Sequence, residues 1–164
     1  MYDAASPPAD TPLHKLESQL CFALYSTMNA VSRNYAPLLA ALDLTYSQYL
    51  AMLVLWEDDG VTVGEIGRRL YLDSGTLTPL LKRLEAAGLV VRRRDPGDER
   101  QVRIALTPAG QALREKARGL PTEIGYAMER SIVEITSLRD DLLRLRASLL
   151  ASLDRRQLAA DPAP

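Results

Sequence analysis

Between residues 62 and 106 the spacing of apolar residues changes from a helical to a strand period within one short stretch, and few folds accommodate that change. Thr62 and Glu65 have the spacing of a capping box. They open a short helix, expected over residues 64–70, after a Val61–Val63 strand or turn. A tight turn at Tyr71-Leu72 leads to Asp73-Ser74, which can cap a second helix. That helix carries Leu77, Leu80, Leu81 and Leu84 on one face and stops at Gly88, suited to the left-handed position past a helix end. From Leu89 the period is two. Leu89 to Arg93 reads as a strand, Asp95-Pro96-Gly97-Asp98 as a turn, and Gln101 to Leu106 as the return strand.

This order of short helix, turn, helix and basic hairpin predicts a winged helix-turn-helix. The second helix of such a pair lies in the major groove of DNA with its first residues against base edges. Its solvent face presents Ser74, Thr76, Thr78, Lys82 and Arg83. The hydroxyls can bond phosphates or bases, and the two cations suit phosphates or a guanine edge. Gly75 permits close approach of backbone to DNA, and Pro79 is tolerable if the helix starts at Gly75 or Thr76. The hairpin carries Arg92, Arg93, Arg94, Arg100 and Arg103. A guanidinium at its tip can enter the minor groove. Arg100 is placed for that role, with Asp98 two residues earlier to orient it through an ion pair.

Charge supports this reading. The 164-residue chain has a net charge of −1, yet residues 68–103 hold nine Lys/Arg against five Asp/Glu, leaving eleven against sixteen elsewhere. The asymmetry, rather than the total, is the footprint of a nucleic-acid face.

The flanking segments are helical. Thr11-Pro12 has the form of an N-cap followed by a proline at the first helical position. Leu13, Leu16, Leu20, Leu24, Met28 and Val31 then form one apolar stripe, interrupted near its end by Pro37. Thr45 to Gln48 is a capping box opening a helix that runs to Trp56, a core residue. Thr107-Pro108 starts another helix, which Gly119 and Pro121 break. The last helix, from about Thr136, places Leu138, Leu142, Leu145 and Leu149 on a heptad seam. The fold class is therefore mainly α with a small β-wing: residues 45–106 as the winged helix-turn-helix, and 11–44 and 107–158 as dimerisation helices of the same domain. Residues 1–10 and 159–164 are expected to be loose. No apolar run approaches a membrane span, no secretory signal is visible, and a single cysteine cannot form an internal disulfide. A reduced, cytoplasmic protein is expected, without metal or cofactor. His14 reads as a surface residue.

Residues 44–110, LTYSQYLAMLVLWEDDGVTVGEIGRRLYLDSGTLTPLLKRLEAAGLVVRRRDPGDERQVRIALTPAG, resemble the MarR family of bacterial regulators. The Asp98-Glu99-Arg100 of the wing and the following LTPAG carry the likeness, and LYLDSGTLTPLLKRLE is similar to the organic-hydroperoxide regulator branch, OhrR. The resemblance implies a homodimer with interlocked terminal helices, bound as a repressor to a pseudo-palindromic double-stranded operator.

Cys21 is expected in the middle of the first helix, with Tyr25 one turn on, Tyr35 where that helix ends and Tyr46 at the start of the next. A lone cysteine is ordinarily a small buried hydrophobe, and tyrosines at helix boundaries are ordinary core-edge residues. The resemblance implies more. Cys21 falls on the reactive cysteine, Tyr35 and Tyr46 on phenols that hydrogen-bond its thiolate across the dimer, and Tyr25 on the pocket. An organic hydroperoxide would oxidise the thiolate to sulfenic acid. With no second cysteine in the chain, a low-molecular-weight thiol would then cap it, or it would over-oxidise. Two alternatives stay open. One is a repressor released by a phenolic or aromatic ligand, with Cys21 structural. The other is a one-cysteine peroxidase, disfavoured because the Pro-x-x-x-Thr-x-x-Cys arrangement is absent.

Overall fold

A computed structural model describes residues 14–160, with the side chains of 158–160 excepted. Thr11, Pro12 and Leu13, the expected start of the first helix, lie outside the described residues, as do residues 1–10 and 161–164. Where the chain becomes describable it makes a 3-10 turn at Leu16–Ser18, and α1 spans Leu20–Ala40. The first α-helix therefore starts at Leu20, after Gln19 in extended backbone, so Leu16 is not on it. Pro37 does not end it. The ring removes one intrahelical hydrogen bond, but the final turn continues because Leu39 is buried and Leu38 packs against the core.

α2 (Tyr46–Glu57) begins at a complete capping box. The Thr45 side chain accepts from the Gln48 N–H, and the Gln48 side chain accepts from the Thr45 N–H at 2.7 Å. α2 carries Tyr49, Met52 and Leu55 into the core and packs against α3 (Val63–Leu70) and α4 (Ser74–Ala86). At the start of α3 only half of the expected box exists. Thr62 accepts from the Glu65 N–H at 3.1 Å, while the Glu65 carboxylate turns to Arg68. Asp73 caps α4, and Leu77, Leu80, Leu81 and Leu84 form its buried face.

β1 (Val90–Arg94) and β2 (Val102–Leu106) pair antiparallel, Val90 opposite Leu106 and Arg94 opposite Val102. A bridge from Thr62 to Arg103, with the Ile104 N–H donated to the Val61 carbonyl at 2.9 Å, fastens the hairpin to the segment before α3. α5 (Pro108–Ala117) follows at once. Thr107 caps it and also donates its hydroxyl to the Gly88 carbonyl at 2.6 Å and its N–H to the Leu89 carbonyl at 3.0 Å. At Gly110 the chains approach so closely that an added Cβ would stand 2.1 Å from the Leu89 oxygen. The Gly110 carbonyl accepts the buried Trp56 indole N–H at 2.9 Å. The foot of the wing, α5 and α2 thus form one packed body.

The described residues divide into two compact units, one ending at Leu120 and the other beginning at Pro121. The second holds most of α6 (Leu120–Ala127) and all of α7 (Ile132–Ala160). Pro121 lies inside the first turn of α6 rather than in a break. α7 starts four residues before the expected Thr136, at a capping box absent from the sequence reading. The Ser131 hydroxyl accepts from the Glu134 N–H, and the Glu134 carboxylate accepts from the Ser131 N–H at 2.9 Å. Leu138, Leu142 and Leu149 of the heptad seam are exposed, as are Ile132 and Val133. Among the described residues no helix is long and apolar enough to cross a membrane.

Candidate functional site

Two sets of residues could carry function: the outer face of α4 with the wing, and Cys21 with the tyrosines.

On α4, Ser74, Gly75, Thr76, Lys82 and Arg83 are exposed and Thr78 is half-buried, so the expected solvent face is present. Two details differ from expectation. The helix begins at Ser74, so Pro79 is its sixth residue, beyond the positions whose N–H groups lack partners in any case. It therefore withholds a donor from the Gly75 carbonyl. The Thr76 hydroxyl is also engaged, donating to Asp73 Oδ2 at 3.0 Å while the Thr76 N–H donates to Asp73 Oδ1 at 2.9 Å. These two bonds hold the Asp73 carboxyl below the usual carboxylate range.

The wing tip is built on two aspartates. Asp95 accepts the Gly97 N–H at 2.7 Å and pairs with the Arg103 guanidinium, which also donates to the Gly60 carbonyl at 2.9 Å. The Gly97 bond, then the Arg103 contact, keep the Asp95 carboxyl below its ordinary range. Asp98 does not form the expected ion pair with Arg100. Its carboxylate accepts the Arg100 backbone N–H and the Gln101 side-chain amide, each at 3.1 Å, so it shapes the turn rather than aiming the guanidinium. Arg94 donates to the Glu99 carbonyl across the tip at 3.2 Å. Among the described residues the Arg100 guanidinium has no acidic partner, and neither has Arg93 on β1, which stands opposite Arg103. Those two cations remain available to phosphate or a groove, while Arg103 is committed to structure.

Cys21 is the second residue of α1, in its first turn rather than its middle, and it is exposed. Tyr25, one turn on, is 65% exposed. Tyr35 lies fourteen residues farther along the same helix than Cys21, about 21 Å at the ordinary helical rise. Within one chain the sulfur therefore cannot touch Tyr35 or the residues packed on it. Those residues form a cluster. Tyr35 lies 4.8 Å from Tyr46 and 5.8 Å from Tyr49 between ring centroids. Tyr49, buried and absent from the sequence-derived set, also meets Trp56 edge-on at 6.2 Å. Its position three residues after Tyr46, one helical turn on, was the available signal. Burial and its neighbours Tyr49 and Tyr46 push the Tyr35 phenol up to about 12, and burial raises Tyr46 and Tyr49 as well. All three remain protonated hydrogen-bond donors at neutral pH. No group of three or more metal-ligating side chains is found among the described residues.

Comparison with known proteins gives these features a context. Residues 44–102 match the MarR family. The chain is 52% identical over 145 residues to the HTH-type transcriptional regulator TtmR of Methylorubrum extorquens, covering 88% of this chain and 74% of that one. It is 47% identical over 135 residues to the organic hydroperoxide resistance transcriptional regulator of Bacillus subtilis, covering 82% and 92%. Among solved structures, reduced AbfR bound to DNA superposes with a TM-score of 0.74 at 37% identity, covering 84% of this chain and 94% of that one. AbfR, a Staphylococcus epidermidis protein, has also been solved over-oxidised and bound to DNA. The winged helix, its basic tip and these relatives agree: the chain belongs to the MarR family of DNA-binding transcriptional regulators, which are not enzymes.

Proposed function

We propose that this chain is a homodimeric repressor that senses organic hydroperoxides through Cys21 and then releases its operator. The observation that carries the reading is the exposure of Cys21, the only sulfhydryl in the sequence, in a chain 47% identical to a regulator named for organic hydroperoxide resistance. The apolar side chains left exposed on α1 (Leu20, Tyr25, Met28) and on α7 (Leu138, Leu142, Leu149) support a dimer. A second copy is also the only way to bring phenols such as Tyr35 and Tyr46 to Cys21, given the span of α1. Protonated phenols in that position would donate to the thiolate and hold it ready for attack.

In this reading the thiolate attacks the hydroperoxide O–O bond. The sulfur gains one oxygen as sulfenic acid, and the peroxide leaves as an alcohol. A low-molecular-weight thiol then condenses with the sulfenic acid, forming a mixed disulfide and releasing water. The bulky adduct displaces the tyrosines and changes the spacing of the two α4 helices. Over-oxidised AbfR was solved on DNA, which favours the thiol adduct over sulfinic or sulfonic acid as the releasing form. A near-complete switch requires a bias of about 5 kcal/mol toward the released arrangement.

The test is an anisotropy titration on a promoter duplex with wild type and Cys21→Ser. The protein is treated with cumene hydroperoxide plus a small thiol, then with excess reductant. Wild type should release and rebind, with the adduct mass on the Cys21 peptide, and the Ser variant should stay bound. Release of the Ser variant by hydroperoxide would defeat the thiol mechanism and leave Cys21 a structural residue.

A further inference from the structure

Three hydroxyls stand at the start of the DNA-reading helix, and they are not equivalent. Ser74 and Thr78 have no hydrogen-bond partner among the described residues, so each can donate or accept. Thr76 cannot. A hydroxyl has one proton and two lone pairs, and the contact between Thr76 Oγ1 and Asp73 Oδ2 is 3.0 Å. An ionised carboxylate only accepts, so the proton in that contact belongs to Thr76. Asp73 is fixed in place as well. Its other oxygen takes the Thr76 N–H, as an N-cap does. Gly75 guards the same seat, since an added Cβ there would stand 3.0 Å from Asp73 Oδ1. Gly75 thus serves the cap, besides any close approach of DNA.

We propose that Thr76 reads the operator as a hydrogen-bond acceptor only, and that Asp73 is the positioning residue that sets this polarity. The consequence for the ligand is specific. In the major groove the donors on base edges are the N4 amino group of cytosine and the N6 amino group of adenine, while guanine N7 and O6 and thymine O4 are acceptors. Phosphate oxygens of the backbone accept too. Thr76 therefore selects an amino-bearing base, is mismatched to guanine and thymine edges, and does not serve as a phosphate contact. The neighbouring Asp73 charge strengthens the exclusion of phosphate. The inference rests on α4 entering the major groove, as the second helix of a winged helix-turn-helix does, and not on the redox reading above.

The test is selection of duplexes from a random-core library by the full-length protein, followed by competition titrations with all four bases at each selected position. Wild type, Thr76→Ser, Thr76→Val and Asp73→Asn are compared, each at several salt concentrations. Wild type is expected to prefer adenine or cytosine at one position per half-site by about five- to tenfold, the equivalent of one net hydrogen bond. Thr76→Ser keeps that preference. Thr76→Val abolishes it at that position alone and leaves the salt dependence unchanged, because no phosphate contact is lost. Asp73→Asn presents an amide N–H₂ to the hydroxyl, frees its proton to donate, and shifts the preference toward guanine or thymine. Should Asp73→Asn lose its cap and fail to fold, the Ser and Val pair decides the matter. An unchanged base preference in Thr76→Val, or a Thr76-dependent preference for guanine or thymine in wild type, overturns the proposal. Absence of any salt-dependent duplex binding by wild type would instead defeat the DNA-reading role of α4, and this inference with it.

Discussion

Adding one methyl group at Gly110 tests how the wing is held. The new Cβ would stand 2.1 Å from the Leu89 carbonyl oxygen, 3.1 Å from its carbon and 3.2 Å from Leu106 Cδ2. Neither chain can yield through a flexible side-chain end, because the nearest atoms are backbone. Opening the contact from 2.1 Å to an ordinary 3.4 Å requires about 1.3 Å of movement between α5 and the foot of β1. That movement strains the hydrogen bond from the Thr107 N–H to the Leu89 oxygen, worth about 1 kcal/mol, and overpacking costs about 1–3 kcal/mol. Replacing a helical glycine by alanine returns about 1 kcal/mol. Gly110→Ala is therefore expected to lose about 2 kcal/mol net. The sequence has a single tryptophan, Trp56, whose indole bonds the Gly110 carbonyl, so urea unfolding followed by its fluorescence reports directly on the site. Protein concentration is held fixed because self-association shifts apparent stability. Gly64→Ala in α3 is the control, since its Cβ would meet only Thr62 Oγ1 at 3.9 Å and should leave stability unchanged or raise it by up to about 1 kcal/mol. Equal or greater stability of Gly110→Ala would refute the claim that backbone contact at this glycine sets the wing on α5.

Other perturbations separate structural from ligand-facing charge. Arg100→Ala should weaken duplex binding and lower the salt slope by about 1 while leaving the urea midpoint unchanged. Arg103→Ala, which removes the Asp95 partner and the Gly60 bond, should lower the midpoint as well. Asp95 titrates below its unfolded value in the folded chain, first through the Gly97 N–H and then through Arg103. Its contribution is present above about pH 4, the unfolded carboxylate range, and is lost as pH falls through the depressed folded value. Asp95→Asn should therefore flatten the acid limb of a stability-against-pH curve, and an unchanged limb would exclude the contact. Thr45→Ala removes a capping-box hydroxyl from α2 and should cost about 1 kcal/mol in the same unfolding assay.

Features decided within a few residues of chain were legible in the sequence. The caps at Thr45, Asp73 and Thr107, the four buried leucines of α4 and the hairpin all follow from local spacing. What was not legible depends on contacts between distant residues. Pro37 looked like a helix end because propensity cannot register that Leu39 is driven into the core. The Arg103 guanidinium looked like one more DNA-facing cation, since its capture by Asp95 and the Gly60 carbonyl is set by hairpin register and by the loop before α3. Asp98 seemed placed to steer Arg100, but a carboxylate two residues ahead of a backbone N–H in a tight turn is better used closing the turn. Proximity of Cys21 to Tyr35 and Tyr46 was implied only by the family resemblance, and across a dimer. The length of α1 rules out that proximity within one copy.

That separation gives the redox reading a mechanical requirement. Cys21 lies about 21 Å along α1 from Tyr35, so within one copy its chemistry does not act on the tyrosine cluster by contact. In the proposed dimer the route starts where a partner's sulfur would meet the phenols. From there the packed groups are continuous: Tyr35 on Tyr46 and Tyr49, Tyr49 against Trp56, the Trp56 indole on the Gly110 carbonyl, and Gly110 against Leu89 at the foot of the wing. The steps are ring contacts, one buried hydrogen bond and, at Gly110, a close backbone approach, and close-packed contacts rearrange between discrete states rather than deform gradually. A small displacement of Tyr35 therefore either stays at the first ring or moves the base of the wing as a unit. For the proposed sensor this favours a mixed disulfide, large enough to evict a ring, over the addition of two or three oxygen atoms as the form that would drive release.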